Sequence, residues 1–402
     1  MNNFPFSLPL ILDGSTGAML SAAGMPEGVC PELWTMEHPE VITEIQQGYV
    51  RAGSRAVYSP TFCANRVKLA KYGLAARVEE MNRELVRISR AAVGEEILIG
   101  GDMTSLGLFL KPFGEATFEE FVEVYREQAA ALDAAGVDFF IPETLMSLAE
   151  ARAAVTAIRS VSDKPIFVTV TCDAAGRMLS GTSAAAALVV LQEMGIQAFG
   201  LNCSVGPEAM AEVIATLRPY AKIPLIVKPN AGLPVVEDGK TVFKLTPADF
   251  AAHTAAFAAR GVQIFGGCCG TNFHHIEALT ASLDGIPLTS PQAEGLFCAS
   301  EREVFALDPM PDFGERIEAG EYLADDLMDA EDAEAEAVWI HVADEDGLAA
   351  FEENQYLVKT PLRLSADTQE LLRAAVRVYQ GAPVCAAEDW FDGLAGSGAV
   401  KI

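Results

Sequence analysis

Eight short apolar runs spaced across residues 8–285 constrain this chain more than any other feature of it. They are Leu8–Leu12, Ala56–Tyr58, Ile97–Gly101, Val137–Ile141, Pro165–Val170, Ala198–Leu201, Pro224–Val227 and Val262–Phe265. They are rich in Val, Ile and Phe and mostly continuous, as strands buried on both faces should be. Segments with helical spacing lie between them, among them Pro39–Ala52, Phe118–Ala135, Leu148–Ser160, Ala184–Met194 and Pro207–Leu217. Thr117, Ser147, Thr182 and the pair Thr246-Pro247 read as helix starts. Gly53, Gly136, Gly195 and Gly261 read as helix ends. Eight strand–helix units predict an α/β fold, the (β/α)8 TIM barrel.

A barrel of this kind carries its chemistry on the segments that follow its strands. Polar residues and glycines stand there after all eight runs, as in Asp13-Gly14-Ser15-Thr16-Gly17, Gly101-Asp102-Met103, Pro142-Glu143-Thr144 and Lys228-Pro229-Asn230. Ordinary loop chemistry explains part of this pattern. It does not explain the cysteines after the sixth and eighth runs: Cys203 in Asn202-Cys203-Ser204, and Cys268-Cys269 inside Gly266-Gly267-Cys268-Cys269-Gly270. Glycines let a backbone approach a neighbour closely or take positive φ. Parallel strands of one barrel would bring the three thiols to one end. Three thiolates at one point suggest zinc with an open fourth position. Taken alone, Cys203 reads equally well as a buried structural thiol. His274 and His275 offer a Cys-Cys-His set by spacing, but they fall in the first turn of the next helix. Cys63 and Cys172 read as packing residues, and Cys30, Cys298 and Cys385 as structural.

The chain has 402 residues, room for one barrel and an appendage. Residues 286–402 hold 25 acidic and 7 basic side chains, most of a net charge of −28. That shift marks a boundary, with the barrel over 1–288 and a small acidic α/β appendage over 289–402. So acidic a chain is a poor partner for nucleic acid, whose phosphates need clustered Lys and Arg. No run of ~18 apolar residues predicts a membrane span. The start, Met1-Asn2-Asn3-Phe4-Pro5, lacks the positive region of a signal peptide. Eight scattered cysteines suit a reducing cytoplasm. Gly393–Gly398 predicts an end that frays.

The motifs Leu12-Asp13-Gly14…Gly17, Pro60-Thr61-Phe62…Ala64-Asn65, Pro142-Glu143-Thr144, Leu201-Asn202-Cys203-Ser204, Lys228-Pro229-Asn230-Ala231-Gly232 and Gly266-Gly267-Cys268-Cys269-Gly270 stand in that order. On them, residues 8–285 resemble the homocysteine S-methyltransferase domain of betaine-homocysteine methyltransferase and of cobalamin-dependent methionine synthase. The resemblance implies a zinc barrel that methylates the sulfur of homocysteine. Cys203, Cys268 and Cys269 would hold one Zn2+, with the substrate sulfur as fourth ligand. Thiols of this type have pKa near ~8.5 or above, and only the thiolate is reactive. Three cysteinates give the metal site a charge of −1, which keeps electron density on an incoming sulfur.

By the same resemblance Asp13 and Glu143 hold the substrate, whose amino group is cationic. Their other readings are a plain turn at Asp13-Gly14 and a first-turn helix acid at Glu143. Backbone N–H groups of the Gly14–Ala18 loop, with Gly14 and Gly17, would receive the α-carboxylate, and Thr16 could add a hydroxyl. Asn202 would orient the site. Asn230 would contact zinc or substrate, or simply belong to a turn.

The tail is similar, more faintly, to the start of the folate-binding barrel of cobalamin-dependent methionine synthases, in Phe313-Gly314-Glu315-Arg316-Ile317, Ala337–Val342 and Thr360-Pro361-Leu362…Val378–Val384. It departs at Glu318, at Ser365-Ala366 and at Ala386-Ala387, and is too short for a second barrel. It reads as a truncated, degenerate remnant that does not bind folate. The tail ties the chain to the cobalamin-dependent type, yet no Asp-x-His-x-x-Gly corrinoid motif is present. Methylcobalamin supplied in trans by a separate corrinoid protein is therefore the expected donor. The alternatives are a stand-alone transferase using S-methylmethionine, S-adenosylmethionine or betaine, and a non-catalytic zinc- or thiol-binding subunit.

Overall fold

A computed structural model describes residues 4–111, 114–203, 206–237, 240–291, 293–389 and 391–402. Ser204 of the sixth strand-end motif and the N-terminal Met1-Asn2-Asn3 lie outside the described residues. The chain divides into two compact units. One comprises Met1–Ala175, Gln197–Arg218 and Ile223–Pro291; the other comprises Gly176–Ile196, Pro219–Lys222 and Gln292–Ile402.

The first unit is mixed α/β with parallel sheets. A strand lies at each of the eight apolar runs: β1 Leu10–Ile11, β2 Ala56–Tyr58, β3 Leu98–Thr104, β4 Phe139–Glu143, β5 Phe167–Val170, β6 Ala198–Asn202, β7 Leu225–Lys228 and β8 Val262–Phe265. Five of them form one sheet in the order β1-β8-β7-β6-β5, and the others form a second in the order β2-β3-β4. All pairings within these sheets are parallel. A parallel bridge joins Phe140 to Ile166, at the edge of β4 and the approach to β5. On the other side Arg55 N donates to Ile11 O at 2.8 Å. Alternate strand residues make one apolar cluster: Leu10, Leu12, Ala56, Tyr58, Phe139, Ile141, Phe167, Ala198, Ile226 and Ile264. Three of its aromatic side chains meet there, with Phe139 4.6 Å from Phe167 and 6.3 Å from Tyr58 between ring centroids.

Most helix boundaries follow the sequence signals. Thr117 starts Phe118–Ala135 with a full capping box, and Thr246 caps Pro247–Ala255. Ser147 stands at the N-cap of Leu148–Arg159 without a side-chain cap bond. Thr182 is not a cap. Ser183 accepts from Ala186 N instead, while Thr182 is buried and its hydroxyl lies 3.1 Å from Ser180 Oγ.

In the second unit five parallel strands run in chain order: β9 Arg316–Glu318, β10 Val338–Val342, β11 Leu362–Ala366, β12 Val384–Cys385 and β13 Val400–Lys401. The helices Leu323–Asp332, Glu345–Asn354 and Gln369–Val378 connect the first four, and their apolar faces pack on Val338, Ile340, Val342, Leu362 and Leu364. The end of the chain does not fray as Gly393–Gly398 suggests. Ala399 and Val400 are buried, and Val400 N donates to Pro383 O at 2.8 Å. The backbone bonds of β13 outweigh the local freedom of the glycines that precede it.

Candidate active site

In the first unit the last residue of a strand carries a polar group at four places: Thr104 on β3, Glu143 on β4, Asn202 on β6 and Lys228 on β7, with Asp102 two residues before the end of β3. Glu143 pairs with Thr104, and Asn202 with Lys228, within the ladders. Glu143 therefore belongs to a strand, and the alternative of a first-turn helix acid does not hold.

The three cysteines converge. One ligand atom from each of Cys203, Cys268 and Cys269 lies within 4.8 Å of the other two, and Cys203 Sγ is 3.5 Å from Cys269 Sγ. A tetrahedral zinc with sulfur at ~2.3 Å would space its sulfurs about 3.8 Å apart. Size and donor chemistry both fit zinc. Among the described residues no other group of three His, Cys, Asp or Glu side chains comes together in this way.

Each sulfur is fixed by backbone bonds. Cys203 N donates to Lys228 O at 3.2 Å, and Cys268 N to Pro229 O at 2.9 Å. Cys269 N donates to Asn230 Oδ1 at 3.0 Å, so Asn230 braces the ligand loop. Cys203 itself has φ +55°, left-handed for a residue with a Cβ. Thr144 has φ +61°, and Asn202 ties it in place: Thr144 N donates to Asn202 Oδ1 at 3.0 Å, and Asn202 Nδ2 donates to Thr144 Oγ1 at 2.7 Å. Asn202 Nδ2 also lies 3.8 Å from Cys268 Sγ.

The glycines around the pair are required by their own chain. A Cβ on Gly266 would stand 2.9 Å from both Asp13 O and Leu12 Cβ, and 3.2 Å from Lys228 Cγ. Gly270 combines φ +78° with Phe243 at 2.4 Å from any Cβ. Thr271 Oγ1 donates to Cys268 O at 2.7 Å and accepts from Ser15 N at 3.1 Å, which links the eighth loop to the first. Gly14 is buried in that link. Thr16 and Gly17, read from the sequence as part of a loop, open the helix Thr16–Ala22, because Ser15 caps it by accepting from Ala18 N.

Beside the sulfurs sits a buried charge cluster. Lys228 Nζ lies 3.0 Å from Glu143 Oε2, 4.0 Å from Asp13 Oδ1 and 3.6 Å from the centre of the Tyr58 ring. Asp13 Oδ2 accepts from Tyr58 N at 2.8 Å. Burial alone would lower the Lys228 pKa. Glu143, followed by Tyr58 and Asp13, reverses this and holds the ammonium well above its ordinary range. Burial pushes Asp13 up to about 7 against the pull of Lys228, and burial likewise raises Glu143. Asp102 is raised too, by burial and then by Glu143. From the sequence Lys228 and Asp102 stood in strand-end motifs without a role, and Tyr58 only as the end of the second apolar run. A charged residue closing an apolar strand, as Lys228 closes Leu225-Ile226-Val227, was the available signal.

The sulfurs share their protons unequally. Hydrogen bonds from Cys203 and then Cys268 hold Cys269 at about 3. Hydrogen bonding to Cys268 and Cys269, with burial, pushes Cys203 far above the thiol range. For Cys268, the bond to Cys203 would lower the pKa, but the one to Cys269 and burial bring it to about 11. Histidine takes no part. His275 Nδ1 lies 2.9 Å from Asn272 Oδ1 and Nε2 lies 3.1 Å from Leu245 O, and His274 is exposed.

Residues 10–283 match the family model described as homocysteine S-methyltransferase. The chain belongs to the homocysteine S-methyltransferase family. Over 296 residues it is 32% identical to a methionine synthase of Mycobacterium tuberculosis, covering 69% of this chain and 25% of that protein. Over 293 residues it is 31% identical to a methionine synthase of Mycobacterium leprae, covering 68% and 24%. The chain thus spans about a quarter of the length of these curated relatives. Among solved structures it resembles the metallated homocysteine methyltransferase MmuM of Escherichia coli. That match has a TM-score of 0.56 at 23% identity and covers 68% of this chain and 95% of that one. At that identity the likeness speaks to the fold of this family member. No helix among the described residues is long and apolar enough to cross a membrane.

Proposed function

We propose that this chain transfers a methyl group to the sulfur of homocysteine, forming methionine, at a zinc site held by Cys203, Cys268 and Cys269. The observation that carries the reading is the meeting of three sulfurs, from two separate strand ends, within 4.8 Å. A zinc ion held by these three thiolates would supply the Lewis acidity that keeps a substrate thiol ionised, and so nucleophilic, at neutral pH. The chain's own residues do the rest. Asn230 and Asn202 fix the sulfur-bearing loops. Asp13 and Glu143 share the single Lys228 ammonium, and the carboxylate charge left over favours the substrate's α-ammonium. Gly14, Thr16 and Gly17 would receive its carboxylate through backbone N–H groups on the loop tied to Thr271.

The eight strands are proposed to close into a (β/α)8 barrel. The bridge at Phe140–Ile166 and the Arg55–Ile11 bond support closure. Their C-terminal ends would then face one site. The acidic region after residue 288 is proposed as a remnant of a folate-binding domain; its βαβ repeats support that origin. The donor is proposed to be methylcobalamin on a separate corrinoid protein, in the cytoplasm.

The experiment is reconstitution with zinc under reducing conditions, then incubation of homocysteine with a methyl-corrinoid donor and, separately, with S-methylmethionine. Methionine is expected from the first. Product from S-methylmethionine alone would replace the donor and keep the rest. Cys203→Ser is expected to lose stoichiometric zinc and to cut methyl transfer by about 100-fold or more. Undiminished transfer by zinc-free Cys203→Ser protein would refute the reading.

A further inference from the structure

The charge cluster beside the sulfurs holds three carboxyl groups, and Lys228 is the cation that it holds among the described residues. Asp13, Asp102 and Glu143 are each more than nine-tenths buried. The lysine is already committed, at 3.0 Å to Glu143 and 4.0 Å to Asp13, with its ammonium over the Tyr58 ring. Asp13 has a further partner in Tyr58 N. Asp102 Oδ1 is buried and has no hydrogen-bond partner, and neither has the Tyr58 hydroxyl nor Asp13 Oδ1, though the last lies 4.0 Å from the Lys228 ammonium. Alternation along β3 puts Asp102 on the same side as Gly100 and Leu98, and Leu98 packs on the apolar cluster that includes Tyr58. The carboxyl thus points into the space that the strands enclose, above that cluster. A buried carboxyl oxygen without a partner is costly to keep. A strand interior filled only for stability would carry Ser or Val there.

We infer that Asp102 sets the specificity of this site for a thiol that carries an amino group, by receiving the α-ammonium of the substrate on its unpartnered oxygen. The inference rests on the reading of the chain as a homocysteine methyltransferase. Asp102 adds its contact to the carboxylate charge that Glu143 and Asp13 share with Lys228. A thiol without the amino group would leave the Asp102 oxygen unpaired.

Calorimetric titration tests this without turnover. Metal-free protein is titrated with L-methionine and with 4-(methylthio)butanoate, and zinc-loaded protein with L-homocysteine and with 4-mercaptobutanoate. In the parent chain the amino compounds should bind at least about 10-fold more tightly than their des-amino partners, the range of a charge-assisted hydrogen bond. Asp102→Asn should weaken the amino compounds by about 10- to 100-fold and change the des-amino compounds less than about threefold. Zinc content and melting temperature are followed alongside. Asp102→Ser serves as the second variant should Asn disturb the fold, and the same loss is expected from it. Preference for the amino compounds retained in both variants overturns the role of Asp102 alone. Equal weakening of both ligand classes does the same, since it marks Asp102 as structural. A parent chain that binds neither homocysteine nor methionine overturns the underlying reading as well.

Discussion

Hydrogen bonds from Cys203 and Cys268 lower the pKa of Cys269, whereas the bond to Cys269 and burial raise that of Cys268. Thiolate character and access govern alkylation. Cys298 and Cys385 are buried, and burial pushes both up to about 12. Limited iodoacetamide treatment of chelated protein near pH 7 should therefore modify Cys269 first and leave Cys298 and Cys385 intact, as read by peptide mass spectrometry. Added zinc should protect Cys269. Labelling spread evenly over the eight cysteines would contradict this assignment.

At the scale of elements, the site is built on the last residues of strands as much as on loops, and this decided what the sequence could reveal. The apolar runs located all eight strands, because a strand buried on both faces is written in continuous Val, Ile and Phe. They also ended too early. The third run stops at Gly101, whereas β3 continues through Asp102 to Thr104. The fourth stops at Ile141, whereas β4 reaches Glu143. Those polar ends point inward where the fold turns from core to site. Hydropathy alone marks them as loop. The cysteines were legible because no packing role explains an adjacent pair among glycines. The partnership of Lys228 with Glu143 was not, since the two lie 85 positions apart and meet only through the order of the strands. Capping misled at two places: Ser183, not Thr182, caps Ala184–Glu193, and Ser15 turns the glycine-containing stretch after Asp13 into a helix.

For the whole molecule, the second unit is assembled from three pieces of chain. Its helix Ala184–Glu193 is buried along nearly all its length, including Leu188, Val189, Val190 and Leu191. Residues far later in the chain cover it. Ser183 N donates to Arg302 O at 3.0 Å, Arg177 pairs with Glu303, and Gly398 packs near Met194. Removing residues 292–402 would strip those covers and expose a contiguous apolar surface. That truncation is expected to aggregate on expression, as measured by soluble yield and size-exclusion elution. A soluble monomer that melts with the full chain would show that the later residues are dispensable to this helix.

The positive φ at Cys203 carries one more consequence. The backbone there suits a residue with no side chain, and a left-handed turn costs any other residue about 1 kcal/mol. Cys203→Gly should thus keep a melting temperature within about 3 °C of the parent, by calorimetry, while losing its zinc. That outcome would uncouple chemistry from durability at this position. A lineage freed from selection for the proposed methyl transfer could lose it through that one exchange and still pass on a sound fold.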